Sequence, residues 1–288
     1  MNDGGTGGVD KNGRMQHQRG EVTAGGPVRV VELLSIVLPV RNEAASLVEV
    51  HQRLTTVLLG LVDTGAIRGW QLVFVDDGSS DGSWGVIREL VDGDDHAVGV
   101  RLTRGFGQVP AVFAGFAHTA GDSVAVMDCD LELDPADLGE LLAAHRHGRD
   151  LVTGVRPRHR NIGREAPSIL FNHLMSRVTG CEFRDVGCGM VLMDRALMAE
   201  LAHEGDLRRN AMVVVAAARL ADRHEQVSVS WQHGRSRSSY SSYGLALNAF
   251  EALWTYGRPL RVTAWCAALL TMLAGAMVVG SAVALARS

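Results

Sequence analysis

No CxxC pair occurs among the four cysteines, Cys129, Cys181, Cys188 and Cys266. Neither a zinc site nor a disulfide framework is therefore suggested, and reduced thiols in the cytoplasm are expected. The glycine loops that cradle nucleotides are missing as well: no GxGxxG follows the first apolar run, and GxxxxGK[ST] is absent. An excess of positive charge is also lacking, since the formal net charge is -4 over 288 residues. That balance excludes a general nucleic-acid binder and requires any basic site to be local. The first 30 residues hold no apolar h-region, which excludes an N-terminal secretory signal of the usual kind. Rich in Gly, Asp, Gln and Arg without an apolar period, they are expected to form a disordered tail. His118, His145, His147 and His173 show no metal-ligand spacing and are read as surface or core residues.

What the chain does contain is an alternation of short apolar runs and helical periods. "LLSIVLPV" and "WQLVFVDDG" read as buried parallel strands ending in turn residues. Between them, "EAASLVEVHQRLTTVLLGLV" carries apolar residues at helical spacing, with Asn42 or Ser46 available as its cap. The unit repeats through "SWGVIRELV" as helix, "HAVGVRLT" as strand, "VPAVFAGFAHTA" as helix and "SVAVMDCD" as strand. Such an order predicts a parallel α/β sheet covered by helices, whose ligands bind beyond the carboxyl ends of the strands. The clusters "RNE", "DDGSSDGS" and "DCDLELD" all fall at those ends and converge on one crevice.

The last cluster places Asp128, Asp130 and Glu132 at alternate positions after an apolar run. Carboxylates at close range raise one another's pKa unless a cation holds them ionised. Oxygen ligands suit Mg²⁺ or Mn²⁺, and magnesium commonly combines one or two carboxylates with substrate phosphates, so a diphosphate partner is expected. The bland alternative is that these acids cap the next helix, "DPADLGELLAAH", with Asp134 as N-cap and Pro135 at its first position. It accounts for Asp134 and Asp137 but leaves Asp128 and Asp130 unexplained. A second local concentration, "GVRPRHRNIGRE", groups Arg156, Arg158, Arg160 and Arg164. Guanidinium groups there could bind phosphate bidentately, and a solvated loop or a patch drawn to anionic headgroups is the open alternative.

The segments "SIVLPVRNEAASL", "LVFVDDGSSDGS", "RGFGQVPAVFAGFAHTAGDSVAVMDCDLELDP" and "DVGCGMVLMDR" resemble the successive motifs of family 2 glycosyltransferases with the GT-A fold. Within that family the chain is similar to polyprenyl-phosphate glycosyltransferases, the group that includes dolichyl-phosphate mannose synthase, over residues 33–261. The resemblance implies a Rossmann-like, mostly parallel sheet with helices on both faces. It implies that Pro39, Asn42 and Glu43 line a nucleotide site, that Asp76 and Asp77 contact base and ribose, and that Asp128 and Asp130 hold the metal. Glu132 stands where many relatives have Gln near the metal. Arg156 is placed where such enzymes hold phosphate, and Arg164 and Ser168 match the pair that meets the lipid phosphate. The implied reaction is inverting transfer of a sugar from a nucleotide-diphosphate sugar to a polyprenyl phosphate, with Asp128, Asp130 and Arg156 as its principal groups. A phosphate nucleophile is already anionic, so no general base is needed. Two positions depart from the family pattern: Gly105 replaces an Asn, and Val191 stands near a usual Arg or Lys. Transfer to a non-prenyl acceptor, or a non-catalytic nucleotide-sugar-binding subunit, stay open as rival readings, as does a homo-oligomer.

Four regions follow: the tail (1–30), a catalytic domain (31–232), an interfacial amphipathic segment (233–261) and a transmembrane helix (262–286). The third mixes Arg235, Arg237, Tyr240, Tyr243, Trp254 and Tyr256 with an amphipathic run, which suits a helix at headgroup level; a plain core helix is the alternative. The fourth, "VTAWCAALLTMLAGAMVVGSAVALA", carries no charge and would span roughly 37 Å as a helix, enough to cross a bilayer. A buried core helix is its alternative. Arg258 and Arg261 precede it and Arg287 follows, which places the large N-terminal part on the cytoplasmic side of the cell membrane as a single-pass protein. Many bacterial relatives have two such helices where one is expected here.

Overall fold

The computed structural model describes residues 28–157, 162–203 and 213–232. Seven strands form one sheet: β1 (Leu34–Val40), β2 (Trp70–Asp76), β3 (Ala97–Arg101), β4 (Ser123–Val126), β5 (Leu151–Val155), β6 (Val191–Asp194) and β7 (His224–Ser228). Their order across the sheet is β3-β2-β1-β4-β6-β5-β7. The neighbours β3-β2-β1-β4 and β5-β7 pair in parallel, whereas β6 runs antiparallel to both β4 and β5. The sheet is thus mostly parallel, as expected, with β6 as its reversed strand.

Between the strands run α1 (Leu47–Asp63), α2 (Ser83–Gly93), α3 (Gln108–Phe116), α4 (Leu138–Arg146), α5 (Ile162–Thr179), α6 (Arg195–His203) and α7 (Val213–Leu220). Strand side chains alternate between two apolar layers, as the pleat requires. Leu34, Ile36 and Leu38 of β1 and Leu72 and Phe74 of β2 join one layer, which receives Leu47, Leu54 and Leu58 of α1 and Leu141 of α4. Val37, Val73 and Val75 point the other way and meet Ala111, Val112 and Phe116 of α3, Met175 of α5, Leu201 of α6 and Val215 of α7. Helices therefore cover both faces. Central strands buried on both sides explain why their sequences read as unbroken apolar runs.

Neither expected cap closes α1. Ser46 sits at its N-cap but makes no capping bond, its hydroxyl donating instead to the Glu43 carbonyl and carboxylate. Asn42 adopts a left-handed φ of 58° and accepts from the Ser80 amide at 2.8 Å, tying two loops together. Asp134 does cap, accepting from the Ala136 amide at 3.0 Å at the start of a 3-10 turn, Pro135–Asp137, that leads into α4. Asp137 binds Ser230 instead of capping α4 with its side chain.

No helix among the described residues is long and apolar enough to cross a membrane. The expected interfacial segment (233–261) and transmembrane helix (262–286) lie outside the described residues, as does the expected N-terminal tail up to residue 27.

Candidate active site

Register brings the carboxyl ends of β1, β2 and β4 to one edge: Val40 pairs with Asp76, and Val37 with Val126. The reversed β6 supplies a fourth contributor there. Its first residue, Val191, pairs with both Val126 and Thr153, so the Asp185–Met190 loop arrives beside the ends of β4 and β5. The clusters expected to meet in one crevice do meet.

At the β1 and β2 ends the loops are knitted by hydrogen bonds. The Asn42 amide donates to Ser79 Oγ at 3.0 Å, the Glu43 amide to Ser83 Oγ at 3.0 Å, and the Ala44 amide to Asp81 at 3.1 Å. Asp76 is fully buried; one oxygen accepts from the Ser79 amide at 2.8 Å, and the other lies 3.4 Å from Arg101 Nε without a hydrogen bond. Asp77, only 3% exposed, is engaged by the protein itself: the Phe106 amide at 2.6 Å, the Gly107 amide at 3.0 Å and Arg41 Nη1 at 3.1 Å. Pro39 lies half-buried in β1 beside Val75 of β2.

The acidic loop follows β4. Asp128 accepts from Gln108 Nε2 at 2.6 Å, and its other oxygen packs on Gly189. A Cβ on Gly189 would lie 2.6 Å from Asp128 Cγ, so the carboxylate occupies the space a side chain would need. Asp130 accepts from the Glu132 amide at 3.0 Å, across Leu131, whose φ of 60° is left-handed. Such a backbone is uncommon for a branched residue and marks a loop held by its surroundings. Glu132 accepts from Trp231 Nε1 at 3.3 Å.

Crowding of charge shows in the acids themselves. Burial, and then the charge of Asp130, pushes the Asp128 carboxyl up to about 7. Burial raises Asp130 too, opposed by the Glu132 amide and reinforced by the Glu132 charge. Glu43 is raised by burial; the Ser46 hydroxyl opposes this, and the charges of Asp130 and Asp81 add to it. Among the described residues no three His, Cys, Asp or Glu side chains form a group that could hold a metal unaided. Two of these carboxylates could hold a divalent cation that takes its other ligands from a diphosphate, since the charge of Arg156 offsets theirs only in part.

Arg156 enters from the end of β5. It grips Asp185 through Nε at 2.8 Å and Nη2 at 3.0 Å, and its guanidinium lies 5.4 Å from the centre of the Trp231 ring. Ser168 is exposed on α5; Arg164 lies on the same helix, its side chain outside the described residues, as are Arg158 and Arg160. Val191 is 3% exposed in the core between sheet and helices, so it offers nothing to a phosphate. At Gly105 a Cβ would lie 2.6 Å from Arg41 Cζ: here a guanidinium fills the space of the expected Asn.

Sequence reasoning passed over four residues that the structure puts in this site: Gln108, Asp185, Gly189 and Trp231. Three lie inside the quoted motifs "RGFGQ" and "DVGCGM", where chain position after a strand or before one was the available signal. Trp231 gave no such signal, because it reaches the acids through the Leu133–Trp231 bridge, across nearly one hundred residues of chain.

The comparisons with known proteins agree with this arrangement. The model of "Glycosyl transferase family 2" matches residues 35–202. An undecaprenyl-phosphate 4-deoxy-4-formamido-L-arabinose transferase from Shewanella sediminis is 35% identical over 219 residues, 74% of this chain and 62% of the relative. Its namesake from Salmonella choleraesuis is 30% identical over 78% of this chain and 67% of that protein. The chain thus spans about two thirds of the length of the curated relatives it matches. Among solved structures, glucosyl-3-phosphoglycerate synthase from Mycobacterium tuberculosis with Mn²⁺ and UDP superposes at a TM-score of 0.55, with 21% identity, over 85% of this chain and 86% of that one. A mannosyltransferase from Pyrobaculum calidifontis with GDP-Man and Mn²⁺ gives 0.53, with 16% identity, over 81% and 66%. With the family model covering more than half of the chain and its motifs gathered at one sheet edge, this protein belongs to glycosyl transferase family 2.

Proposed function

We propose that the protein transfers a sugar from a nucleotide-diphosphate sugar to a polyprenyl phosphate, with inversion and with a divalent cation. The observation that carries the reading is the meeting of Asp128, Asp130 and Glu132 with the Arg156–Asp185 pair at the carboxyl edge of the sheet. Relatives at 35% and 30% identity whose names specify undecaprenyl phosphate support the acceptor class.

Asn42, Glu43 and Asp76, with Pro39 beneath them, would receive the nucleoside. One buried Asp76 oxygen makes no hydrogen bond and lies 3.4 Å from Arg101 Nε, and it would have to be uncovered to meet the nucleoside. Asp128 and Asp130 would hold Mg²⁺ or Mn²⁺, with Glu132 beside them. Bound there, the cation supplies positive charge against the leaving diphosphate, which is electrostatic stabilisation of the kind that dominates transfer reactions. Arg156, whose Asp185 clamp uses Nε and Nη2, keeps Nη1 for phosphate. Arg164 and Ser168 on α5 would face the lipid phosphate, which needs no deprotonation to attack. Residues 262–286 would anchor the protein as a single span, with the catalytic domain at the cytoplasmic face and residues 233–261 lying on the lipid.

The test is transfer from a panel of labelled nucleotide sugars to undecaprenyl phosphate by the detergent-extracted chain, with Mg²⁺, Mn²⁺ or chelator. A metal-dependent labelled lipid is expected, and Asp130→Asn should abolish it while leaving the protein folded. Wild-type turnover in that variant would sink the metal assignment. Product on a soluble acceptor but none on the lipid would redirect the acceptor reading.

A further inference from the structure

Asp77 stands at the nucleotide end of the crevice, yet its carboxylate faces the protein. Oδ1 accepts from the Phe106 amide at 2.6 Å; Oδ2 accepts from the Gly107 amide at 3.0 Å and from Arg41 Nη1 at 3.1 Å. Arg41 Nη1 also donates to the Asp77 carbonyl at 2.8 Å, and its guanidinium lies over Gly105. Two of these bonds, from the Phe106 and Gly107 amides, hold the loop before α3, and the two from Arg41 tie Asp77 to the end of β1. Gly107 leaves that loop at φ 102°, a left-handed conformation that glycine adopts without steric cost. The next residue, Gln108, opens α3 and sends its amide to Asp128 Oδ1 at 2.6 Å.

We infer that Gln108 is a positioning residue for Asp128, and that Asp77 acts on the cation site through the loop it clamps instead of through the nucleoside. The inference rests on the reading of Asp128 as a metal-holding acid. Asp128 is steadied from two sides, by the Gln108 amide on one oxygen and by Gly189 against the other. A neutral donor is the right partner for that task. It favours the ionised carboxylate without adding a charge that would compete with a cation, and a carboxylate oxygen can accept a hydrogen bond and still bind a metal. Glutamate at position 108 would bring a further like charge to Asp128 and could not donate when ionised.

The experiment uses the full chain in detergent and follows Mn²⁺ binding by electron paramagnetic resonance, with saturating uridine or guanosine diphosphate as the probe nucleotide. Donor KM and kcat are then measured at saturating Mn²⁺, with thermal melts as a folding control. Gln108→Ala should weaken Mn²⁺ binding by about ten- to a hundredfold, the range that corresponds to one lost hydrogen bond to a charged group. Gln108→Glu should weaken it further, and both should leave donor KM at saturating Mn²⁺ near wild type. Asp77→Asn should show the same signature, and the Asp77→Asn, Gln108→Ala double variant should be no worse than the more affected single variant, because both act through one chain of contacts. A raised donor KM at saturating Mn²⁺ with unchanged Mn²⁺ binding in Asp77→Asn would make Asp77 a nucleoside ligand and overturn its part. Unchanged Mn²⁺ binding in both Gln108 variants would overturn the inference alone. A wild-type chain that binds no Mn²⁺ with either nucleotide would overturn the metal reading and the inference with it.

Discussion

Adding one methyl group at Gly189 should disable transfer without unfolding the protein. No positive φ is required of this glycine, so alanine meets no backbone penalty, and the whole effect comes from the neighbour. A Cβ there would fall 2.6 Å from Asp128 Cγ and nearer still to Oδ2, whereas ordinary contact begins at 3.4 Å, so the carboxylate must retreat by more than an ångström. It cannot retreat and keep its 2.6 Å bond from Gln108. Displacement of this size at reacting groups costs about 10²-fold in rate. The assay is kcat for sugar transfer to undecaprenyl phosphate at saturating donor and Mn²⁺, with the melting temperature as control. An approximately hundredfold fall with a melting shift of a few degrees is expected. In an Asp128→Ala background, Gly189→Ala should cost little more, since the group it displaces is gone. Full activity in Gly189→Ala would refute the claim that Asp128 must occupy its observed position, and an equal loss on top of Asp128→Ala would show that the methyl acts elsewhere.

The indole of Trp231 serves both Glu132 and Arg156, and two substitutions separate the roles. Trp231→Phe keeps a ring beneath the guanidinium and loses the 3.3 Å donor to Glu132, so kcat should fall by a factor of about 3. Trp231→Ala also forfeits a cation–π contact of about 0.5–2 kcal/mol and should fall further; equal losses would deny the ring a role. His145 is buried, bonded to Ser123 Oγ at 2.9 Å, and its pKa is lowered by burial and then by the charge of Arg29. The unfolded chain therefore takes up this proton first as pH falls. Stability from His145 is complete above its ordinary value of 6.5 and is lost as pH drops through the lower folded value, at up to about 1.4 kcal/mol per pH unit. Thermal melts of wild type and His145→Gln between pH 7.5 and 5 should converge on acidification, and parallel curves would contradict the assignment.

Much of this was legible because parallel strands buried on both faces announce themselves. "SIVLPV" and "LVFVD" could be placed from composition alone, and the acids that follow them fell at the edge where such sheets bind ligands. Reversal of β6 was not legible: four residues, Val191–Asp194, look alike in either direction, and only the pairing with β4 and β5 settles it. The same limit hid the partners of the acids. The family resemblance implies a nucleoside contact for Asp77, and nothing local indicates that amides 29 and 30 positions later will donate to it. Capping failed at α1 for a related reason, since Asn42 found a better use for its side-chain oxygen across the crevice at Ser80. Local chemistry proposed these residues, and long-range geometry chose their partners.

Two buried thiols lie within the same sequence motifs as the charged groups. Cys129 separates Asp128 from Asp130, and Cys188 precedes Gly189. Burial, and then the charge of Asp128, raises the Cys129 thiol well above its ordinary value; burial takes Cys188 to about 12 despite the Met190 amide. Both are therefore protonated and out of reach in this arrangement, and thiolate and access are the two requirements of alkylation. Modification at either position must wait for the acidic loop or the β6 approach to open locally, so its rate measures how often that happens.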